Sequence, residues 1–87
     1  MNQLSSQYYG VNKLPGGDFR VSIYINNKQK YCGTYDDEIV AANVYNYWHE
    51  RYHQYELFPL INNIPYIPPE EFIKHNTHPK MLYKLLE

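Results

Sequence analysis

Hydrophobic and polar residues alternate in the first third of the chain. Between residues 18 and 26, the apolar positions share one face of a strand: Phe19, Val21, Ile23 and Ile25. The other positions form the opposite face: Arg20, Ser22, Tyr24 and Asn26. This alternation predicts a strand with one buried face.

Two more strands are predicted, one on each side of this one. Residues 8–13 form the first, ending in the turn-forming sequence Leu14-Pro15-Gly16-Gly17. A second turn lies near Asn26 and Asn27, because asparagine tolerates a left-handed backbone, and residues 29–32 return as the third strand. The result is a three-stranded antiparallel sheet.

A helix follows the sheet and supplies its cover. Its apolar positions recur at intervals of three and four residues: Ala41, Val44, Tyr45, Trp48 and Tyr52. Asp36 or Asp37 is expected to cap its start, and Gln54 lies near its predicted end. The predicted fold class is α+β, with the sheet packed on this one amphipathic helix and its other face free.

The composition changes after the helix. Residues 58–69 contain four prolines, so we expect an extended segment packed across the domain. Pro69 is placed to open a short helix through Phe72, and residues 81–86 are predicted to form another. The expected organisation is a flexible tail at residues 1–7, a domain at residues 8–65 and a Pro-rich, partly helical extension at residues 66–87.

Length and composition exclude some classes of protein. The chain has 87 residues, 44% hydrophobic and 20% charged, which is typical of one small globular domain. It has no run of about 18 apolar residues and no secretion signal, so an intracellular location is expected, the nucleus if the organism is eukaryotic. The single Cys32 cannot form an internal disulfide.

Charge is distributed unevenly along the chain. Residues 1–35 carry four cationic side chains and one carboxylate, a net charge of +3. Residues 36–57 carry five carboxylates and one arginine, a net charge of −4. The predicted sheet is therefore the cationic part of a domain with a net charge of only −1.

An ordered set of short motifs resembles the APETALA-two/ethylene-response-factor DNA-binding domain. The motifs span residues 8–65: Tyr8-Tyr9-Gly10-Val11, Gly33-Thr34-Tyr35-Asp36, Ala41-Ala42 with Tyr45, and Asn63-Ile64-Pro65. The resemblance implies a sheet that enters the major groove of duplex DNA, braced from behind by the helix. The groove admits a strand ribbon and presents a distinct hydrogen-bond pattern for each base pair.

The resemblance also implies which residues contact DNA. The expected set combines polar outward residues and cations: Tyr9, Asn12, Lys13, Arg20, Ser22, Tyr24, Lys28, Gln29 and Tyr31. The plant domains have arginine and tryptophan at most contacting places, where this chain has residues such as Asn12 and Gln29, so the plant target does not carry over. Asparagine and glutamine pair with adenine, which favours A·T-rich sites. With so few cations, a homodimer or a partner protein is expected to complete the affinity.

The expected function is sequence-specific duplex binding, as in a transcription regulator, without catalysis, cofactor or metal. The main alternative is a protein-interaction module in which the outward residues form an ordinary solvated sheet face. A third hypothesis comes from His49-Glu50-Arg51-Tyr52-His53, which matches the His-Glu-x-x-His pattern of zinc hydrolases. It needs a third ligand from the tail, and the helical wheel turns His49 and His53 towards solvent and Tyr52 towards the sheet.

Overall fold

The computed structural model describes residues 7–53 and 61–77. Three strands form one antiparallel sheet in the order β1-β2-β3: β1 (Val11–Lys13), β2 (Phe19–Ile25) and β3 (Lys28–Tyr35). The helix α1 (Glu38–Tyr52) follows, and later a 3₁₀ turn (Pro69–Glu71) runs into the short helix α2 (Phe72–His75). The predicted α+β class and the short helix opened by Pro69 are confirmed; the helix predicted at residues 81–86 lies outside the described residues.

The turn between β2 and β3 has the predicted asparagine chemistry. Asn26 and Asn27 have φ values of 53° and 65°, which suit a two-residue turn between twisted strands. The first strand begins later than predicted, at Val11 instead of residue 8. Gly10, at φ 72°, turns the chain just before β1, and the Val11 N–H donates to the carbonyl of Tyr8.

The third strand extends beyond the predicted end at Cys32, as far as Tyr35. A β-bulge allows this, because Arg20 pairs with Thr34 and Ser22 with Tyr31, leaving one residue of β2 opposite two of β3. Gly33, at φ 107°, lies in the bulge. The extra residue reverses the alternation, so Tyr35 faces the core and is fully buried.

The core lies between the inner sheet face and α1. It joins Val21 and Ile23 of the sheet to Ala41, Val44 and Trp48 of the helix, all at most 4% exposed. Asp37 caps the helix, since its carboxylate accepts from the backbone N–H groups of Ile39 and Val40. The prediction that Tyr52 faces the sheet is wrong: its side chain is 44% exposed and stacks on Trp48 near the end of the helix.

Residues 61–68 have no regular structure and pack against the helix, as expected of an extended segment. Two helix asparagines hold its backbone. Asn43 donates to the carbonyl of Pro65 and accepts from the N–H of Ile67, while Asn46 makes the same pair of bonds with Asn62. The asparagine side chains thus provide the hydrogen bonds that a neighbouring strand would otherwise provide to the backbone of this segment.

The following residues close one edge of the sheet. Phe72 joins the core and meets Tyr47 edge to face, and Asn76 forms a bridge with Tyr35. The Thr77 N–H donates to the carbonyl of Thr34 at 2.7 Å. In the two described ranges, no helix has both the length and the apolar character needed to cross a bilayer.

Candidate nucleic-acid interface

The outer sheet face, opposite α1, carries a continuous row of polar and aromatic side chains. Cross-strand pairs place them side by side: Asn12 with Arg20, Ser22 with Tyr31, and Tyr24 with Gln29. Side chains of directly opposed residues stand about 5 Å apart, close enough to interact. The sheet therefore brings together six of the nine predicted contact residues.

Hydrogen bonding and ring packing link four of these six residues. The Gln29 side-chain amide donates to the Ser22 hydroxyl at 3.1 Å, and the Tyr31 hydroxyl donates to the Gln29 amide oxygen at 3.4 Å. The Arg20 guanidinium lies over the Tyr31 ring, 4.9 Å from its centroid. The outer face is thus a connected network, in contrast to a row of independent side chains.

Exposure differs sharply within the network. Tyr24 is 62% exposed and Tyr31 is 40% exposed. Ser22, predicted to be an outward contact residue, is only 7% exposed and supports Gln29 instead. Arg20 is half-buried, and its buried Nε–H has no hydrogen-bond partner within the described part of the chain.

Tyr9 lies just outside the sheet, in the turn before β1. Its backbone N–H and carbonyl are both bonded to the Asn62 side chain, at 2.7 and 3.2 Å. Its ring is 50% exposed and borders the same surface depression as Ser22 and Tyr24. The depression is also bordered by Tyr45, His49 and His53, so Tyr9 lies where the edge of the sheet meets the helix, outside the outer row.

The predicted lysines do not belong to the outer row. Lys13 pairs with Phe19 and Lys28 with Ile25, so both share the register of the inner face and are exposed at strand ends. They lie at opposite ends of β2, which at about 3.3 Å per residue puts them roughly 20 Å apart. The two lysines therefore lie at the two rims of the sheet, on the opposite side from the polar row.

Sequence reasoning missed two features of this surface. The bulge places Thr34 in the outer register, opposite Arg20. The Thr34 side chain is nevertheless buried. Lys30 is a further exposed cation on β3, opposite Ile23. The glycine at position 33, inside a strand-like pattern, was the available signal for a bulge.

The His-Glu-x-x-His motif begins on α1 and ends at His53, the residue just after the helix; His49 is buried, whereas His53 is half-buried. His49 is 4% exposed, which contradicts the helical-wheel prediction, and His53 Nε2 is 2.8 Å from the carbonyl oxygen of Tyr24. Glu50 is exposed. Among the tail residues considered as a third ligand, His75 pairs with Asp36 and Glu71 with Lys74. Within residues 7–53 and 61–77, no three His, Cys, Asp or Glu side chains form a metal-binding group.

Cys32 packs in the core as a small apolar group. Burial raises the pKa of its thiol from 9.0 to about 12. Burial also raises the pKa of Tyr35, with a further contribution from Cys32, and the Tyr35 hydroxyl donates to the Cys32 carbonyl at 2.6 Å. The neutral thiol is a poor nucleophile, so this pair is part of the core.

No family model matches the chain, and no curated protein is similar to it in sequence.

Proposed function

We propose that the chain binds double-stranded DNA in a sequence-specific way, with the outer sheet face in the major groove. One observation carries this proposal: the connected network of Arg20, Ser22, Gln29 and Tyr31 on that face. It combines amide, hydroxyl and guanidinium groups, which are the groups that contact base edges and phosphates.

The charge distribution supports the same orientation. Phosphates line the two rims of the groove; Arg20 lies on the outer face, and the exposed Lys13 and Lys28 lie at the two rims of the sheet. Residues 36–53 carry four carboxylates and one arginine, a net charge of −3, and α1 within this range lies behind the sheet, away from the proposed contact. The proposal takes its contact positions from the motif resemblance to the APETALA-two/ethylene-response-factor domain, and a transcription regulator is the corresponding role.

Paired variants test the assignment of the binding face. Arg20→Ala and Tyr31→Ala are expected to lower the affinity for a duplex selected from a randomised pool by about tenfold each, since each removes a charged or aromatic contact. Arg51→Ala and Tyr66→Ala remove the same residue types from the helix and the extended segment, and should leave affinity unchanged. Fluorescence anisotropy in low salt with chelator measures all four.

The controls make the test decisive. Thermal unfolding establishes that each variant is folded. Equal losses from the two pairs would contradict binding through the sheet. Absence of any duplex binding by the folded, unaltered chain would overturn the proposal itself.

A second candidate function is a protein-interaction module that keeps this fold. The observation that favours it is a depression of about 550 Å³ between α1 and the extended segment, bordered by the exposed apolar side chains of Ile61 and Tyr66. This function predicts no duplex affinity, and a bound protein that is released by Ile61→Glu. Affinity capture with the unaltered chain and with this variant, alongside the DNA measurement, separates the two functions.

A further inference from the structure

The Gln29 side chain is held in place by its neighbours on the outer sheet face. Its amide nitrogen donates one hydrogen to Ser22 Oγ, and its amide oxygen accepts one from the Tyr31 hydroxyl. Ser22 is 7% exposed, so this support comes from a packed position in the sheet. The long Gln29 side chain is therefore restrained before any ligand arrives, which reduces the entropy lost on binding.

The two internal hydrogen bonds use only part of the hydrogen-bonding capacity of the Gln29 amide. A primary amide has two N–H donors and an oxygen with two lone pairs. One of each is used by Ser22 and Tyr31, so within the described part of the chain one donor and one acceptor of the exposed Gln29 amide stay available. Rotating the amide by half a turn also leaves one donor and one acceptor, because the Ser22 and Tyr31 hydroxyls can each donate or accept.

Only one base offers the matching pair in the major groove. Adenine presents the N7 acceptor beside the N6 amino donor. Guanine presents two acceptors, cytosine offers a donor, and thymine offers an acceptor and a methyl group. We infer that Gln29 is the specificity-determining residue for one adenine in the target site, and that Ser22 is its positioning residue. This inference depends on the proposed function. It adds the recognised base, adenine, the residue that recognises it, Gln29, and the residue that positions Gln29, Ser22.

The first test exchanges the amide for a carboxylate. Gln29→Glu removes the donor and leaves acceptors alone, so the preferred base at one position of the site should change from adenine to cytosine. Gln29→Ala should bind with no preference there, losing about tenfold against adenine sites. Selection from a randomised duplex pool, followed by competition with duplexes that differ at single positions, measures both.

The matched control is Asn27→Asp, two residues away in the exposed hairpin turn. It adds the same negative charge from the same amide-to-acid exchange. We expect it to weaken binding to all duplexes equally and to leave the base preference intact.

The second test separates the role of Ser22 from simple loss of stability. Ser22→Ala should reduce discrimination for adenine at the same position about as much as Gln29→Ala, with a smaller effect at other positions. Ser22→Thr keeps the hydroxyl and should restore it. Melting temperatures of both variants establish that each is folded.

The outcomes distinguish this inference from the function on which it rests. If the unaltered chain selects a motif and the Gln29 variants select the same motif, the adenine-reading role is wrong while duplex binding stands. If discrimination survives Ser22→Ala, the positioning role is wrong. If the folded unaltered chain binds no duplex, both the function and the inference are overturned.

Discussion

Gly10 occupies a position where backbone conformation and packing both require the absence of a side chain. Its φ of 72° lies in the left-handed region, and a Cβ atom there would be 2.0 Å from a ring carbon of Tyr45. Gly17 has a similar positive φ of 102°, but space around it is open. Comparing substitutions at the two glycines therefore separates the cost of backbone strain from the cost of a steric clash.

We expect Gly10→Ala to lower the free energy of unfolding by about 3 kcal/mol, from left-handed strain together with displacement of the Tyr45 ring. Gly17→Ala should cost about 1 kcal/mol, from strain alone. Urea unfolding of both variants measures the difference. Equal losses would mean that Tyr45 moves aside at no cost.

Cys32 and Tyr35 make stability sensitive to alkaline pH. The native state raises the pKa of both groups, so it favours their neutral forms over the charged ones. Stability should be constant up to about pH 9 and then fall as pH rises towards 12, because the unfolded chain releases these protons first. Each group contributes a slope of up to about 1.4 kcal/mol per pH unit.

Unfolding by urea across this pH range measures the slope. Cys32→Ala should be less stable at neutral pH, yet its stability should stay flat to about pH 10, where tyrosine begins to ionise. A variant that loses stability from pH 9 as steeply as the unaltered chain would contradict this account.

At the scale of elements, the buried Asn62 side chain connects the extended segment to the turn before β1 and to α1. Asn62 is 7% exposed and bonds both backbone groups of Tyr9 in addition to the carbonyl of Ala42. Replacing it with alanine leaves several polar backbone groups without partners. The segment, the turn before β1 and the helix all meet at this residue.

We expect Asn62→Ala to lower the free energy of unfolding by about 3 kcal/mol. Asn63→Ala is the matched control, because Asn63 is the same residue type one position away and is exposed. It should change stability by less than about 0.5 kcal/mol. Urea denaturation monitored by Trp48 fluorescence measures both; a small effect at Asn62 would mean that water replaces its bonds.

Local patterns in the sequence were sufficient for the main elements of the fold. The alternation in β2, the asparagine turn, the Asp37 cap and the helix stripe are short-range signals with direct physical causes. The bulge at Gly33 was missed because the third strand was predicted to end at Cys32, and the extra residue of the bulge reverses all later side chains. The positions of Tyr52 and His49 were also wrong, since tertiary packing at the helix end decides which flank is covered.

The candidate site was less predictable than the fold. The sequence placed Arg20, Ser22 and Tyr24 on one face, and the register agrees. It could not assign Ser22 to a supporting role, because that depends on which β3 side chain lies diagonally across from it. Nor could it distinguish outer-face residues from rim lysines such as Lys28, since that depends on pairing register.

At the scale of the whole molecule, the separation of charge controls how a polyanion would be approached. Residues 1–35 carry a net charge of +3 and residues 36–57 a net charge of −4, so under the proposed function the field of the protein would orient the sheet towards DNA. At most four cations of the sheet region reach phosphates, each contributing about −0.9 to the slope of log affinity against log salt concentration. The slope should therefore be no steeper than about −4.

Salt titration of duplex binding tests this expectation. Lys13→Ala and Lys28→Ala should each make the slope less steep by about 1 and weaken all duplexes alike. Lys74 lies on α2 and forms an ion pair with Glu71, so Lys74→Ala should leave the slope unchanged. A slope near zero would contradict phosphate contacts by the rim lysines.

The bonds between the chain's distant parts also have a consequence for folding kinetics. The hairpins join neighbouring residues, whereas the Tyr9–Asn62 bond spans 53 positions and the Thr34–Thr77 bond spans 43. Closing such long loops costs entropy, so the sheet and helix are expected to assemble first and the C-terminal residues to dock after the main barrier. Asn62→Ala should then accelerate unfolding and leave the refolding rate nearly unchanged, giving a chevron plot displaced only in its unfolding limb.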